Sequence, residues 1–205
     1  MTGRARPPLP LLIGFAVFVV AIVYLIAVSM TPRDVPTFEP TPLVELAAQD
    51  DGLLLSRSAD AERAVPAPRL DTITIDAGNP DAWRYFSFRR RALLQAPDTL
   101  EWDLAVRRYH LRTAGMAADL GPPGESDASP WDASFLADDG RDDSGHPAMR
   151  RWYRYGMFTH LLESRRHAYL VRTRDGGLAR IEVLSYYCPG PRPGCMTLRY
   201  AYPLR

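Results

Sequence analysis

The residues of this chain that could do chemistry are few: two cysteines, four histidines and one acidic cluster. Cys188 and Cys195 flank Pro189-Gly-Pro-Arg-Pro-Gly194, a turn-rich run between two strand-like segments. Cysteines on either side of a hairpin loop can approach to disulfide distance, and an oxidising compartment permits the bond. A metal site would need further ligands, and no second cysteine pair exists. A structural disulfide is therefore expected. Asp138, Asp139, Asp142 and Asp143 raise the question of calcium, but the glycine and ligand spacing of a calcium loop is absent. His110, His146, His160 and His167 are scattered along the chain. No nucleophile elbow, phosphate-binding loop, dinucleotide fingerprint or His-Glu-x-x-His accompanies them, so no enzyme is expected. Charge is nearly balanced, with 25 basic and 24 acidic residues. No basic domain or nucleic-acid-binding motif appears, which excludes a nucleic-acid partner.

These residues must be carried by elements, and the first is apolar. Residues 11–30 are uncharged and long enough to cross a hydrocarbon core of ~30 Å as a helix. Arg4 and Arg6 precede the stretch and Pro32 follows it. Positive charge on the short N-terminal side predicts a cytoplasmic N-terminus and an exported remainder. The alternative is a cleaved signal peptide with Ala27-Val-Ser29 as its small-residue site, although the apolar run exceeds the usual length. No Cys follows the run, so a lipid-modified cysteine is not expected. The division predicted is 1–10 cytoplasmic, 11–30 transmembrane, 31–69 a flexible proline-rich tether and 70–205 an all-β periplasmic domain. A bacterial inner-membrane location follows. Within the tether, Thr41 could cap a short helix with Pro42 at its first position, running through the Leu and Ala of residues 43–55.

Beyond residue 70 the patterning is that of strands. Thr72-Ile-Thr-Ile-Asp76 alternates polar and apolar, and Gly78-Asn-Pro-Asp81 is turn chemistry. Trp83-Arg-Tyr-Phe-Ser-Phe88 alternates again, and Arg89, Arg90 and Arg91 read as a solvated strand tip. Trp102, Leu104 and Val106 share a phase that then places Arg108 and His110 on the same face. Either that strand leaves the core or a bulge resets its register. Residues 115–145 read as one long loop. Ala168–Gly176, Ile181–Tyr187 and Met196–Tyr202 are rich in β-branched and aromatic side chains, and Asp175-Gly176 is a strong hairpin signal. The fold class expected is an antiparallel two-sheet sandwich or flattened barrel, preceded by one helix.

Several of these segments resemble, in order, the HmuY family of exported haem-binding proteins. They are Asp71-Thr-Ile-Thr-Ile-Asp-Ala77, Trp83-Arg-Tyr-Phe-Ser-Phe88 and Trp102-Asp-Leu-Ala-Val-Arg-Arg-Tyr109. Val171-Arg-Thr-Arg-Asp-Gly176, Ala179-Arg-Ile-Glu-Val183 and Thr197-Leu-Arg-Tyr-Ala-Tyr-Pro203 follow. The resemblance covers residues 70–205. It implies an all-β molecule holding a haem iron between two axial side chains, His or Met, from loops at one end. One implied ligand stands five residues after Trp152, at Met157. The other lies in the preceding loop, where His146 and Met149 are the candidates. His160 and His167 fall on no ligand position of the family. The same residues also suit structural roles: Met157 could fill a gap in an aromatic core, and His146 before Pro147 could be an ordinary loop residue.

Two functions follow. One is a membrane-anchored protein that binds or relays haem through two axial side chains, with residues 11–30 in the bilayer. The alternative is a non-catalytic accessory subunit whose β domain docks on the periplasmic face of a membrane complex. A haem carrier held at the inner membrane would receive haem in the periplasm rather than harvest it outside the cell.

Overall fold

The computed structural model describes residues 8–30, 34–47, 69–95, 101–123, 133–141 and 144–204. Among the described residues, one helix, α1 (Leu9–Met30), is followed by strands only. These are β1 (Glu45–Leu46), β2 (Arg69–Asp76), β3 (Arg84–Ser87), β4 (Ala92–Leu94), β5 (Leu104–Arg107), β6 (His110–Thr113) and β7 (Met116–Asp119). They continue as β8 (Leu136–Ala137), β9 (Tyr153–Tyr155), β10 (Leu162–Ser164), β11 (Ala168–Arg172), β12 (Leu178–Cys188) and β13 (Arg192–Tyr202). The chain forms two compact units. One contains α1 and Tyr155–Leu161; the other contains Val35–Arg154 and Leu162–Arg205.

In the first unit, α1 is apolar all round, and none of its apolar window is buried. A soluble helix hides at least one stripe; one that is hydrophobic on every side calls for an apolar surrounding.

In the second unit, a six-stranded sheet in the order β2-β13-β12-β11-β7-β8 faces a five-stranded sheet in the order β1-β4-β3-β5-β6. The expected all-β sandwich is present and no barrel closes. Alternation sets the register: Ile73 lies opposite Leu198 and Thr74 opposite Thr197, where two buried hydroxyls meet at 3.0 Å. Phe86 of β3 meets Tyr200 of β13 edge-on at 5.9 Å between centroids, joining the two sheets. Asp175-Gly176 turns β11 into β12 with Gly176 at φ 83°, a conformation open to glycine at no steric cost. The Cys188–Cys195 disulfide closes the β12–β13 loop as the flanking strands predict.

Three expectations are corrected. First, residues 35–47 of the expected tether are laid along the sandwich. The Phe38 amide donates to the Tyr187 carbonyl at 3.0 Å, and the Thr41 amide to that of Thr74 at 2.9 Å. Residues 43–46 form no helix; Glu45 and Leu46 pair in parallel with Leu93 and Leu94. Leu46 is buried with Ala92 and Leu94, under Tyr85 and Trp102. Burial of that one leucine and pairing along a sheet edge outweigh a weak helical preference. The rest of the expected helix and tether, residues 48–68, lies outside the described residues. Second, the run 115–145 is not one loop, because Met116–Asp119 and Leu136–Ala137 pair with each other and β7 pairs with β11. Third, β5 neither leaves the core nor bulges. It ends at Arg107, opposite His110, in a two-residue turn with Arg108 in the left-handed region at φ 51°. The Arg108 amide donates to the Ala77 carbonyl at 2.9 Å, which helps hold that conformation.

Candidate functional site

Met157 sits in the segment that follows β9. Its presentation begins at Trp152, a buried side chain whose Nε1–H donates to the Tyr109 carbonyl at 2.8 Å. The Trp152 carbonyl in turn accepts the Arg165 amide at 2.8 Å, closing the base of a hairpin. Beyond it β9 and β10 form a separate two-stranded ribbon. The Leu162 amide donates to the Tyr187 hydroxyl at 2.8 Å, and the Ser164 hydroxyl to the Val183 carbonyl, so β10 is fixed to β12.

The tip is a closed turn. The Gly156 amide donates to the Leu161 carbonyl at 2.9 Å, and the His160 amide to the Gly156 carbonyl at 2.8 Å. A Cβ on residue 156 would stand 2.2 Å from Thr159 Oγ1, so a larger residue there would force that hydroxyl to move. His160 Nδ1 and the Tyr155 hydroxyl lie 2.5 Å apart across it. A six-residue turn has no interior to fill. Met157 is accordingly 74% exposed, Phe158 57% and Tyr155 46%. Met157 therefore fills no core gap; its thioether, a soft donor suited to haem iron, faces outward.

His146 and Met149 are placed otherwise: both are fully buried, in the second unit. Gly145 adopts φ 67° beside the Leu111 carbonyl, and the His146 amide donates to that carbonyl at 2.7 Å. The His146 carbonyl accepts the amides of Met149 and Arg150, both at 2.9 Å. The imidazole Nδ1 accepts the Ala148 amide at 3.1 Å, which assigns the ring proton to Nε2. Nε2 is buried and makes no hydrogen bond of normal geometry. Burial pushes the imidazole pKa down, against the upward pull of Asp138, the Leu136 carbonyl and Asp139, so the ring is held neutral. Asp138 itself accepts from Arg112 Nε and Nη2 at 3.1 and 3.0 Å, so this acidic residue is engaged in an ion pair. To meet iron, His146 would have to exchange tautomer, lose the Ala148 contact and leave the core. Of the three candidates, Met157 is exposed, while His146 and Met149 are buried. His167 pairs with Asp119 at 3.0 Å.

Sequence reasoning did not foresee a buried polar network built from the family-like motifs. Asp103, in the Trp102-Asp motif, is buried beside β5. Its Oδ2 accepts the Phe88 amide at 2.8 Å and its Oδ1 the Arg174 amide at 3.3 Å. Asp175 accepts the hydroxyls of Thr173 at 2.5 Å and Tyr202 at 2.6 Å. These motif residues thus join the β3 end, the β11–β12 turn and the C-terminal strand. Their role is structural. A second concavity, lined by Glu45, Trp83, Arg84, Tyr85, Leu93, Leu94 and Gln95, contains no His, Met or Cys among those residues.

This pair of sheets with its ordered motifs is an HmuY-like fold. A protein of Bacteroides vulgatus described as HmuY-like and haem-binding is 21% identical, with a TM-score of 0.53, over 70% of this chain and 97% of its own. A Bacteroides fragilis protein described as a lipoprotein is 22% identical, with a TM-score of 0.56, over 69% of this chain and 94% of its own. The apo HmuY analogue of Tannerella forsythia is 15% identical, with a TM-score of 0.54, over 69% of this chain and 99% of its own. Neither a protein-family model nor a curated protein matches the chain. At these identities the likeness defines the fold.

Proposed function

We propose that the protein binds haem, with Met157 as an axial donor, and that α1 carries it on a membrane with the β domain exported. The observation that carries the reading is the exposed Met157 thioether, on a closed turn, in a chain with an HmuY-like fold. An exposed thioether is open to the iron of a haem, which accepts methionine as an axial ligand. Haem, when bound, would supply the iron centre; the chain supplies a donor and apolar neighbours. His146 or Met149 could complete an axial pair only after the turn that follows Gly145 opens. No observation among the described residues favours the docking-subunit alternative over haem binding.

The test is a titration of the full-length protein in mild detergent with haemin. Saturable binding with a Soret shift is expected, and Met157→Ala should weaken it by about tenfold or more, the order of a lost metal ligand. His146→Ala and Met149→Ala should leave binding unchanged if the turn stays closed; a loss matching that of Met157→Ala would place the second ligand there. Unsaturable binding, or binding indifferent to Met157, would overturn the proposal.

A further inference from the structure

The tip has a second property that haem ligation does not account for. Tyr155–Leu161 forms one compact unit with α1. The Ser29 hydroxyl, one residue before the end of that helix, donates to the Phe158 carbonyl at 3.2 Å. The apolar stretch Leu9–Ser29 has 21 residues, or about 30 Å of helix at 1.5 Å per residue, which matches the hydrocarbon thickness of a bilayer. If α1 spans, Ser29 marks the boundary of the hydrocarbon, and the hydrogen bond holds Phe158 at the same depth. The side chains displayed there are Tyr155, Met157 and Phe158, all exposed. An amphipathic tyrosine beside large apolar groups is the composition of an interfacial segment.

We infer that Tyr155–Leu161 is a membrane-interface finger, seated among lipid headgroups beside the outer end of α1. The inference rests on the reading of α1 as a membrane anchor. The lipid surface covers the exposed apolar tip and continues the lipid-facing surface of the helix. Met157 is then displayed at the bilayer boundary, a place chemically suited to a flat apolar macrocycle with a carboxylate edge.

The experiment uses the full chain in vesicles of phosphatidylethanolamine and phosphatidylglycerol. Its own cysteines are paired, so an introduced thiol can be labelled alone. Phe158→Cys and, separately, Tyr24→Cys carry an environment-sensitive NBD group. The label at position 158 should be quenched by lipids bearing a nitroxide near the top of the acyl chain. It should also be at least about threefold less accessible to aqueous iodide than in the urea-unfolded chain, as burial at the headgroup level requires. If the label at 24 is quenched while that at 158 stays unquenched and open to iodide, the finger is refuted and the anchor stands. If neither is quenched, the anchor reading fails and the finger with it. Haemin binding is scored separately and bears on neither result.

Discussion

Trp152→Ala is expected to remove about 3–5 kcal/mol of stability, the usual range for truncating a fully buried tryptophan. The side chain is 1% exposed and packs edge-on against Tyr153 at 5.1 Å. Its loss opens a cavity, and the Tyr109 carbonyl loses the Nε1–H that satisfies it. Denaturant unfolding followed by far-ultraviolet circular dichroism measures the effect. Trp152→Phe should fall between alanine and the parent, because it restores much of the volume but not the hydrogen bond. A loss below about 1 kcal/mol for alanine would mean that the hairpin base is held by something other than this residue.

Asp103→Ala is the second large effect, at about 2–4 kcal/mol, because it strands the Phe88 and Arg174 amides together. Its pH signature distinguishes it from Asp175. Burial raises the Asp103 pKa despite hydrogen bonds from Phe88, Arg174 and Ser87. The native state therefore holds that proton more tightly than the unfolded chain, and ionisation costs stability as pH rises from the unfolded to the raised native value. Burial also pushes Asp175 up, but hydrogen bonds from Thr173, Tyr202 and the Gly177 amide outweigh it and hold the pKa below the ordinary value. Asp175 thus contributes stability above its unfolded pKa, and that contribution is lost as pH falls through the native one. In unfolding midpoints taken between about pH 3 and pH 6, Asp175→Asn should flatten the loss on acidification. Asp103→Asn should steepen it, by removing the term of opposite slope. Parallel changes in both variants would refute the assignment.

The parts of the fold legible in the sequence are those whose signals are local. Alternation in Thr72-Ile-Thr-Ile-Asp76, the Asp175-Gly176 turn and the cysteines around Pro189–Gly194 each report a strand, a hairpin or a crosslink without reference to distant residues. The Arg108–Tyr109 turn was not legible, because it has no glycine and its left-handed arginine is supported by a carbonyl at Ala77. Residues 43–46 were read as helical because their leucine and alanine surroundings allow it, whereas a long-range partner at β4 decides the matter. β7 and β8 were hidden for the same reason: Met116-Ala-Ala-Asp119 has no β-branched residue, and only the β11 register makes it a strand.

The candidate site divides along the same line. Met157 could be singled out by its spacing from Trp152, but not its exposure, which follows from a turn closed by Gly156, His160 and Leu161. The burial of His146 depends on Gly145 meeting the Leu111 carbonyl, a contact between residues 34 positions apart that no local pattern announces. Of the motif residues, Asp103 has a physical reason in the buried Phe88 amide, which needs an acceptor there, while Asp175 ties Thr173 to Tyr202 nearer the surface.

The strand β1 changes what a break in the chain would do. Residues 35–47 and β2 onward both belong to the sandwich, so residues 48–68 join two points of one folded body. A protease that cut within 48–68 would not set the β domain loose. The severed N-terminal piece would stay bound through Leu46 in its pocket and the backbone bonds to Leu93, Gln95 and Tyr187. The β domain is in this respect assembled from two separate stretches of chain.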